Sequence, residues 1–120
     1  MKEYTTVLLQ IISSKLSEDE LCSKMGMRNF ARQQPSAPYA YFCFETAAGC
    51  ESDELNEHIK CLEGVLSSVK GFIHERLISG DEVSVLWFPS KNAESFSLLS
   101  PDSMKFLGDL RIPLLIQNKG

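Results

Sequence analysis

Residues 53–73 read Asp-Glu-Leu-Asn-Glu-His-Ile-Lys-Cys-Leu-Glu-Gly-Val-Leu-Ser-Ser-Val-Lys-Gly-Phe-Ile, and Leu55, Ile59, Leu62, Leu66, Val69 and Ile73 recur at steps of four, three, four, three and four. Only a helix brings residues so spaced onto one stripe, and a stripe that long must bury itself against an apolar surface. Gly64, the Ser67-Ser68 pair and Gly71 weaken helix propensity along the way. The spacing therefore predicts two pieces, about 53–67 and 69–79, with Ser52 as N-cap of the first and Gly80 ending the second.

On both sides of this stripe the periodicity changes to that of strands. Residues 4–12, rich in β-branched and apolar types, predict a first strand. In residues 39–46 a period of two puts Tyr39, Tyr41, Cys43 and Glu45 on one face and Ala40, Phe42, Phe44 and Thr46 on the other. Glu45 marks the first face as the wetter one. Val83–Phe88 predicts a third strand, in which Trp87 alternates with Val83 and Val85 and belongs to the core. Ser95–Leu99 predicts a short returning strand, and Ile112–Gln117 a last one. Two further helices have clear starts. Ser17 stands three residues before Glu20, as in a capping box, with Gly26 after the helix. Ser100-Pro101 places a cap and then a proline at the first helical position, with Gly108 near that helix's end. The order β-α-β-α-α-β-β-α-β predicts a single α+β domain over residues 1–120, a two-layer sandwich with helices on one face of a largely antiparallel sheet. The other sheet face is left to water or to a partner.

Composition bounds the function. The 120 residues, 43% hydrophobic and 23% charged, have ordinary globular values. The longest apolar runs are too short to span a bilayer, and Glu3 sits where an export signal carries only positive charge, so a cytoplasmic protein without membrane attachment is expected. The formal net charge is −4, and its distribution is uneven. Residues 45–63 hold Glu45, Glu51, Asp53, Glu54, Glu57 and Glu63 against Lys60 alone, whereas the rest of the chain is close to neutral. With no basic run elsewhere, a nucleic-acid backbone would be repelled, and a basic protein partner is the expectation this asymmetry allows. Three of the acids also have a local reason. Asp53, Glu54 and Glu57 follow the expected cap and offset the helix dipole by about 0.3–1 kcal/mol each. Partner surface and solvated face both remain open for the segment. Tyr39 and Tyr41, beside Glu45, suit a protein-binding surface or a second core layer under the loop 27–38.

Chemistry-bearing motifs are scarce. His58 and Cys61 are three apart on the predicted helix, with Cys50 nearby, but nothing supplies the fourth ligand of a structural zinc site. Neither a nucleophile elbow, a phosphate-binding glycine loop nor a dinucleotide fingerprint occurs, so no catalytic residue, metal or cofactor is assigned. The four cysteines, Cys22, Cys43, Cys50 and Cys61, are expected as free thiols.

Glu54-Leu55-Asn56-Glu57-His58-Ile59, the strand with Leu86-Trp87-Phe88, then Phe96-Ser97-Leu98-Leu99-Ser100-Pro101 and Leu110-Arg111-Ile112-Pro113-Leu114 together resemble the bacterial domain-of-unknown-function 4279 family. The likeness runs over nearly the whole chain but departs from the family in the loop Arg28–Pro38, where a Pro-Thr and Lys-Gly pattern is usual. It implies an α+β fold and no assigned activity. Some small bacterial proteins of this general type look like immunity proteins that block a toxin from a neighbouring cell. The expectation is therefore a non-enzymatic binding protein, an immunity protein that occludes the active site of a basic toxin such as a nuclease. Glu45, Glu51, Asp53, Glu54 and Glu57 would stand in for phosphates, with Tyr39 and Tyr41 beside them. The alternative is a small-ligand or regulatory module that uses the loop 27–38 over the sheet.

Overall fold

A computed structural model describes residues 6–29, 38–46, 54–88 and 99–116. Among them run β1 (Thr6–Ser13), α1 (Glu18–Met25), β2 (Ala40–Glu45), α2 (Leu55–Leu66), α3 (Lys70–Ile78), β3 (Glu82–Phe88), α4 (Pro101–Leu110) and β4 (Leu114–Ile116). The strands form one sheet in the order β2-β1-β3-β4.

The predicted stripe carries the packing. Leu55, Ile59, Leu62, Leu66 and Ile73 are all buried, and they join Val7, Leu9 and Ile11 of β1, Phe42 of β2 and Val83, Val85 and Trp87 of β3 in one core. Leu21 and Met25 of α1 and Phe106, Leu107 and Leu110 of α4 belong to the same cluster, so all four helices lie on the same face of the sheet. Strict alternation of buried and half-buried residues along β1 follows from that one-sided cover. The split between α2 and α3 falls at residues 67–69, where the two serines stand.

The helix termini follow local chemistry closely, with one exception. Ser17 accepts from the Glu20 N–H while Glu20 accepts from the Ser17 N–H, a complete capping box. Gly26 closes α1 at φ 68°, a conformation glycine adopts without cost. Ser100 caps α4 by accepting from the Ser103 N–H, and Pro101 opens the helix. At its other end Gly108 is still helical, and the left-handed position is Arg111, at φ 56°. The exception is α2, whose N-cap is Glu54, without a side-chain capping bond. That corrects the Ser52 cap. Glu54 precedes the first helical turn, so among the described residues only Glu57 of the expected dipole-facing acids lies within it.

Two strand pairings are antiparallel, β1 with β2 and β1 with β3, but β3 pairs with β4 in parallel. The sheet is therefore mixed. The physical cause is α4, which carries the chain back across the helical layer, so that the strand after it starts at the same end as β3. β4 is also shorter than the expected Ile112–Gln117. The Ile112 N–H is spent on Leu107 O of α4 (3.0 Å) and Pro113 has no N–H, so the ladder begins only at Leu114. Of the returning strand expected at Ser95–Leu99, residues 95–98 lie outside the described residues, and Leu99 itself packs on the core without being in a strand.

Candidate functional site

Three helices enclose a groove of about 1060 Å³. Its floor includes Ile59 of α2 with Phe106 and Leu110 of α4. Its rim is charged. From α2 and its cap come Glu54, Glu57, Lys60 and Glu63, from α3 Lys70 and His74, and from α4 Asp102, Lys105 and Asp109. Steps of three along α2 and of three and four along α4 keep each set on one helix face. The Ser100 N–H donates to Asn56 Oδ1 at 2.8 Å, which ties the start of α4 to the first turn of α2.

Five carboxylates thus face three lysines and one histidine across this groove. Among the described residues the only ion pairs are those of Arg76 with Asp81 (2.9 Å) and with Glu75 (3.2 Å). The side chains of Glu57, Lys60, Glu63, Lys70, Asp102, Lys105 and Asp109 are therefore not neutralised by one another within 4 Å. An exposed carboxylate is poorly suited to proton transfer, which wants a desolvated group. It is well suited to meeting a cation supplied by another molecule.

The residues singled out in the sequence do not form one patch. Glu54 and Glu57 line the groove. Glu45 and Tyr41 lie on the opposite side of the molecule, on the sheet face that no described helix covers, together with Cys43. Tyr39 joins them by edge-to-face contact with Tyr41, ring centroids 5.3 Å apart. The Tyr41 phenol is raised above its usual range, first by its side-chain hydrogen bond to Tyr39, then by burial and the charges of Tyr39 and Glu82. Glu51 and Asp53 lie outside the described residues. Asp102 and Asp109, which complete the acidic rim, had no sequence signal, because only the packing of α4 beside α2 brings them there.

His58 is fully buried, deeper than its place beside the helical stripe suggests. Its Nδ1 lies 2.6 Å from Thr46 Oγ1, and the same hydroxyl donates to Val7 O at 3.1 Å. A carbonyl can only accept, so the single hydroxyl proton goes to Val7 and Nδ1 of His58 is the donor to Thr46. This imidazole locks α2 to the end of the β1–β2 ladder. No group of three metal-ligating side chains exists among the described residues. Cys22, Cys43 and Cys61 are free thiols, and Cys50 lies outside the described residues. Burial, with Glu45 nearby, pushes the Cys43 thiol up to about 11.

Asn29 also has a role that its place in an irregular loop hides. Its amide donates to Tyr41 O (2.8 Å) and accepts from the Cys43 N–H (2.9 Å), mimicking a neighbouring strand along the outer side of β2. Among the described residues no helix is long and apolar enough to cross a membrane. No family model, curated protein or solved structure matches the chain.

Proposed function

We propose that this protein works by binding, as an immunity-type inhibitor that occludes the active site of a basic toxin, a nuclease being the toxin class that fits. One observation carries the reading: five carboxylates rim a single groove, and those of Glu57, Glu63, Asp102 and Asp109 have no cation among the described residues within ion-pair distance. A nuclease binds phosphates with lysines and arginines, and carboxylates held on two rigid helices present the same charge in a fixed pattern. Lys60, Lys70 and Lys105 on the same rim give that pattern selectivity, because they repel any partner whose cations fall in the wrong place. The acidic segment 45–63 would add long-range attraction.

The test uses the product of the reading frame directly upstream of this one, purified with and without this chain. Calorimetry should show a one-to-one complex, and that product's nuclease activity should fall as the complex forms. The double variant Glu57→Lys with Asp109→Lys, both on exposed positions, should unfold at nearly the wild-type temperature yet bind weaker by roughly 2–5 kcal/mol for pairs that become desolvated. A neighbour that neither binds nor has toxin activity removes the reading. Undiminished binding by the double variant places the contact outside the groove.

A further inference from the structure

We infer that the occupant of the groove is an α-helix of the basic partner, whose cations recur seven residues apart with an acid between them. This rests on the binding function proposed above and adds the shape and charge order of what binds. The two long walls of the groove carry the same succession of charges. On α2 it is Glu57, Lys60, Glu63, and on α4 it is Asp102, Lys105, Asp109. All six are exposed, and none is paired with another within 4 Å. At a rise of about 1.5 Å per residue, the outer acids stand about 9 Å apart along α2 and about 10.5 Å apart along α4. The walls are also in step. The bond from the Ser100 N–H to Asn56 Oδ1 sets the start of α4 beside the first turn of α2, and both helices line the groove onward to Glu63 and Asp109. Counted from that bond, each charge of α4 lies within about 3 Å of the level of its counterpart on α2. Like therefore stands across from like: acids, then lysines, then acids.

That order selects the occupant. A surface that reads minus, plus, minus over about 10 Å is complemented by plus, minus, plus over the same length. In a helix, residues i, i+3 or i+4, and i+7 share one face and span about 10.5 Å. In an extended strand, side chains on one face are about 6.6 Å apart, so three of them span about 13 Å and the third falls past the last acid. A polybasic segment fails for another reason, because its middle cation meets Lys60 and Lys105. The helix that fits carries Lys or Arg at i and i+7 and Asp or Glu at i+3 or i+4 along each flank. Small or apolar side chains between the flanks rest on Ile59, Phe106 and Leu110. Those three are almost wholly buried within the chain, so the floor adds little grip and the charge order sets the choice. On the third wall Gly71 of α3 leaves room, since a Cβ there would meet nothing within 4 Å among the described residues.

The test uses three synthetic peptides of roughly 20 residues, a length that supports a helix when side-chain bridges brace the outward face. The first carries the plus, minus, plus order on both flanks. The second has the same composition and net charge with the order plus, plus, minus. The third is the first with two central prolines, which abolish the helix. In fluorescence anisotropy with the whole chain at physiological salt, the first should bind at least about ten-fold tighter than either of the others, because a misplaced like charge costs more than a decade of affinity. Lys60→Glu with Lys105→Glu, both at exposed positions, makes the walls wholly acidic. Each of the first two peptides then sets an acid against an acid, so the preference between them should vanish. The inference is overturned if the wild type does not distinguish the first two peptides, if the proline peptide binds as tightly as the first, or if the double variant keeps the wild-type preference. The peptides contain no toxin, so this result is independent of the upstream product. Failure of that product to bind removes the toxin and leaves the helix. A product that binds, beside peptides that are not distinguished, keeps the proposed function and removes the helix.

Discussion

Replacing Thr46 by valine should cost far more than its single hydroxyl suggests. The residue is buried, and its Oγ1 sits between Val7 O at 3.1 Å and His58 Nδ1 at 2.6 Å. Valine fills the same space but can neither donate to the carbonyl nor accept from the imidazole. Two buried polar groups would then each lose a partner, at about 1–3 kcal/mol apiece, for a total of roughly 2–5 kcal/mol after partial relaxation. Against a typical domain stability of about 5–15 kcal/mol that is a large loss. Thr46→Ser keeps the hydroxyl and removes one methyl, so about 1 kcal/mol is expected. Urea unfolding of the three proteins measures the difference, which should appear in the midpoint with little change in slope. Long-range proton–nitrogen spectra of the wild type should find the His58 proton on Nδ1. The reasoning is refuted if Thr46→Val unfolds within about 0.5 kcal/mol of wild type, a shift of ordinary surface size. It is refuted equally if Thr46→Ser is as damaging as Thr46→Val, or if Nδ1 carries no proton.

Leu66, fully buried in the helical stripe, should cost roughly 2–5 kcal/mol on change to alanine, and a loss under about 1 kcal/mol in urea would contradict its place in the core. Arg76 pairs with a buried Asp81, and its Nε is buried without a partner. Arg76→Met alone should therefore destabilise by about 3–5 kcal/mol, while Arg76→Met with Asp81→Leu should recover most of that in the same assay. The Cys43 thiol, raised from 9.0 to about 11, keeps its proton when folded after the unfolded chain has lost it. Stability should thus decline as pH climbs from about 9 towards 11, and Cys43→Ala should flatten that decline; an equal slope in both proteins would remove the assignment.

The local signals were legible because each is complete within a few residues. The capping box at Ser17–Glu20, the left-handed Gly26 and the Ser100-Pro101 start need no tertiary context, and all three form. The two faces of β2 were legible for a similar reason, since a period of two separates Phe42 from Tyr41 wherever the strand lies. What failed depended on neighbours. A run of Ser52, Asp53 and Glu54 offers several caps, and nothing local selects Glu54. The direction of β4 is decided by where α4 delivers the chain, which the Leu114–Ile116 residues themselves do not encode. The acidic rim needs Asp102 and Asp109 from a helix more than forty residues away from Glu57, held there through Asn56 and Ser100. His58 illustrates the same limit. On a helical wheel it borders the stripe, and only the Thr46 hydroxyl at the end of β2 explains why a polar ring can be buried there at all.

The division of the acidic segment between two sides of the molecule changes what its charges can do for a partner. Long-range attraction sums over charges within a Debye length, which grows from about 8 Å at physiological salt to about 30 Å at 0.01 M, so at low salt it reaches across a molecule 22 Å thick and includes both faces. Contact energy is different, because it requires groups that meet the partner at the same time. Glu45, on the uncovered sheet face, and Glu57, in the helical groove, cannot both touch a partner seated in the groove. Under the proposed function the two should therefore separate kinetically. Glu45→Lys should slow association at low salt and leave dissociation unchanged. Glu57→Lys should do both, slowing association and speeding dissociation, and the second effect should persist at high salt, where steering is screened. Surface-immobilised partner and stopped-flow measurements at two salt concentrations resolve these rates. If Glu45→Lys speeds dissociation instead, the partner sits on the sheet face beside Tyr39 and Tyr41, and the groove is a solvated surface whose charges serve only the field.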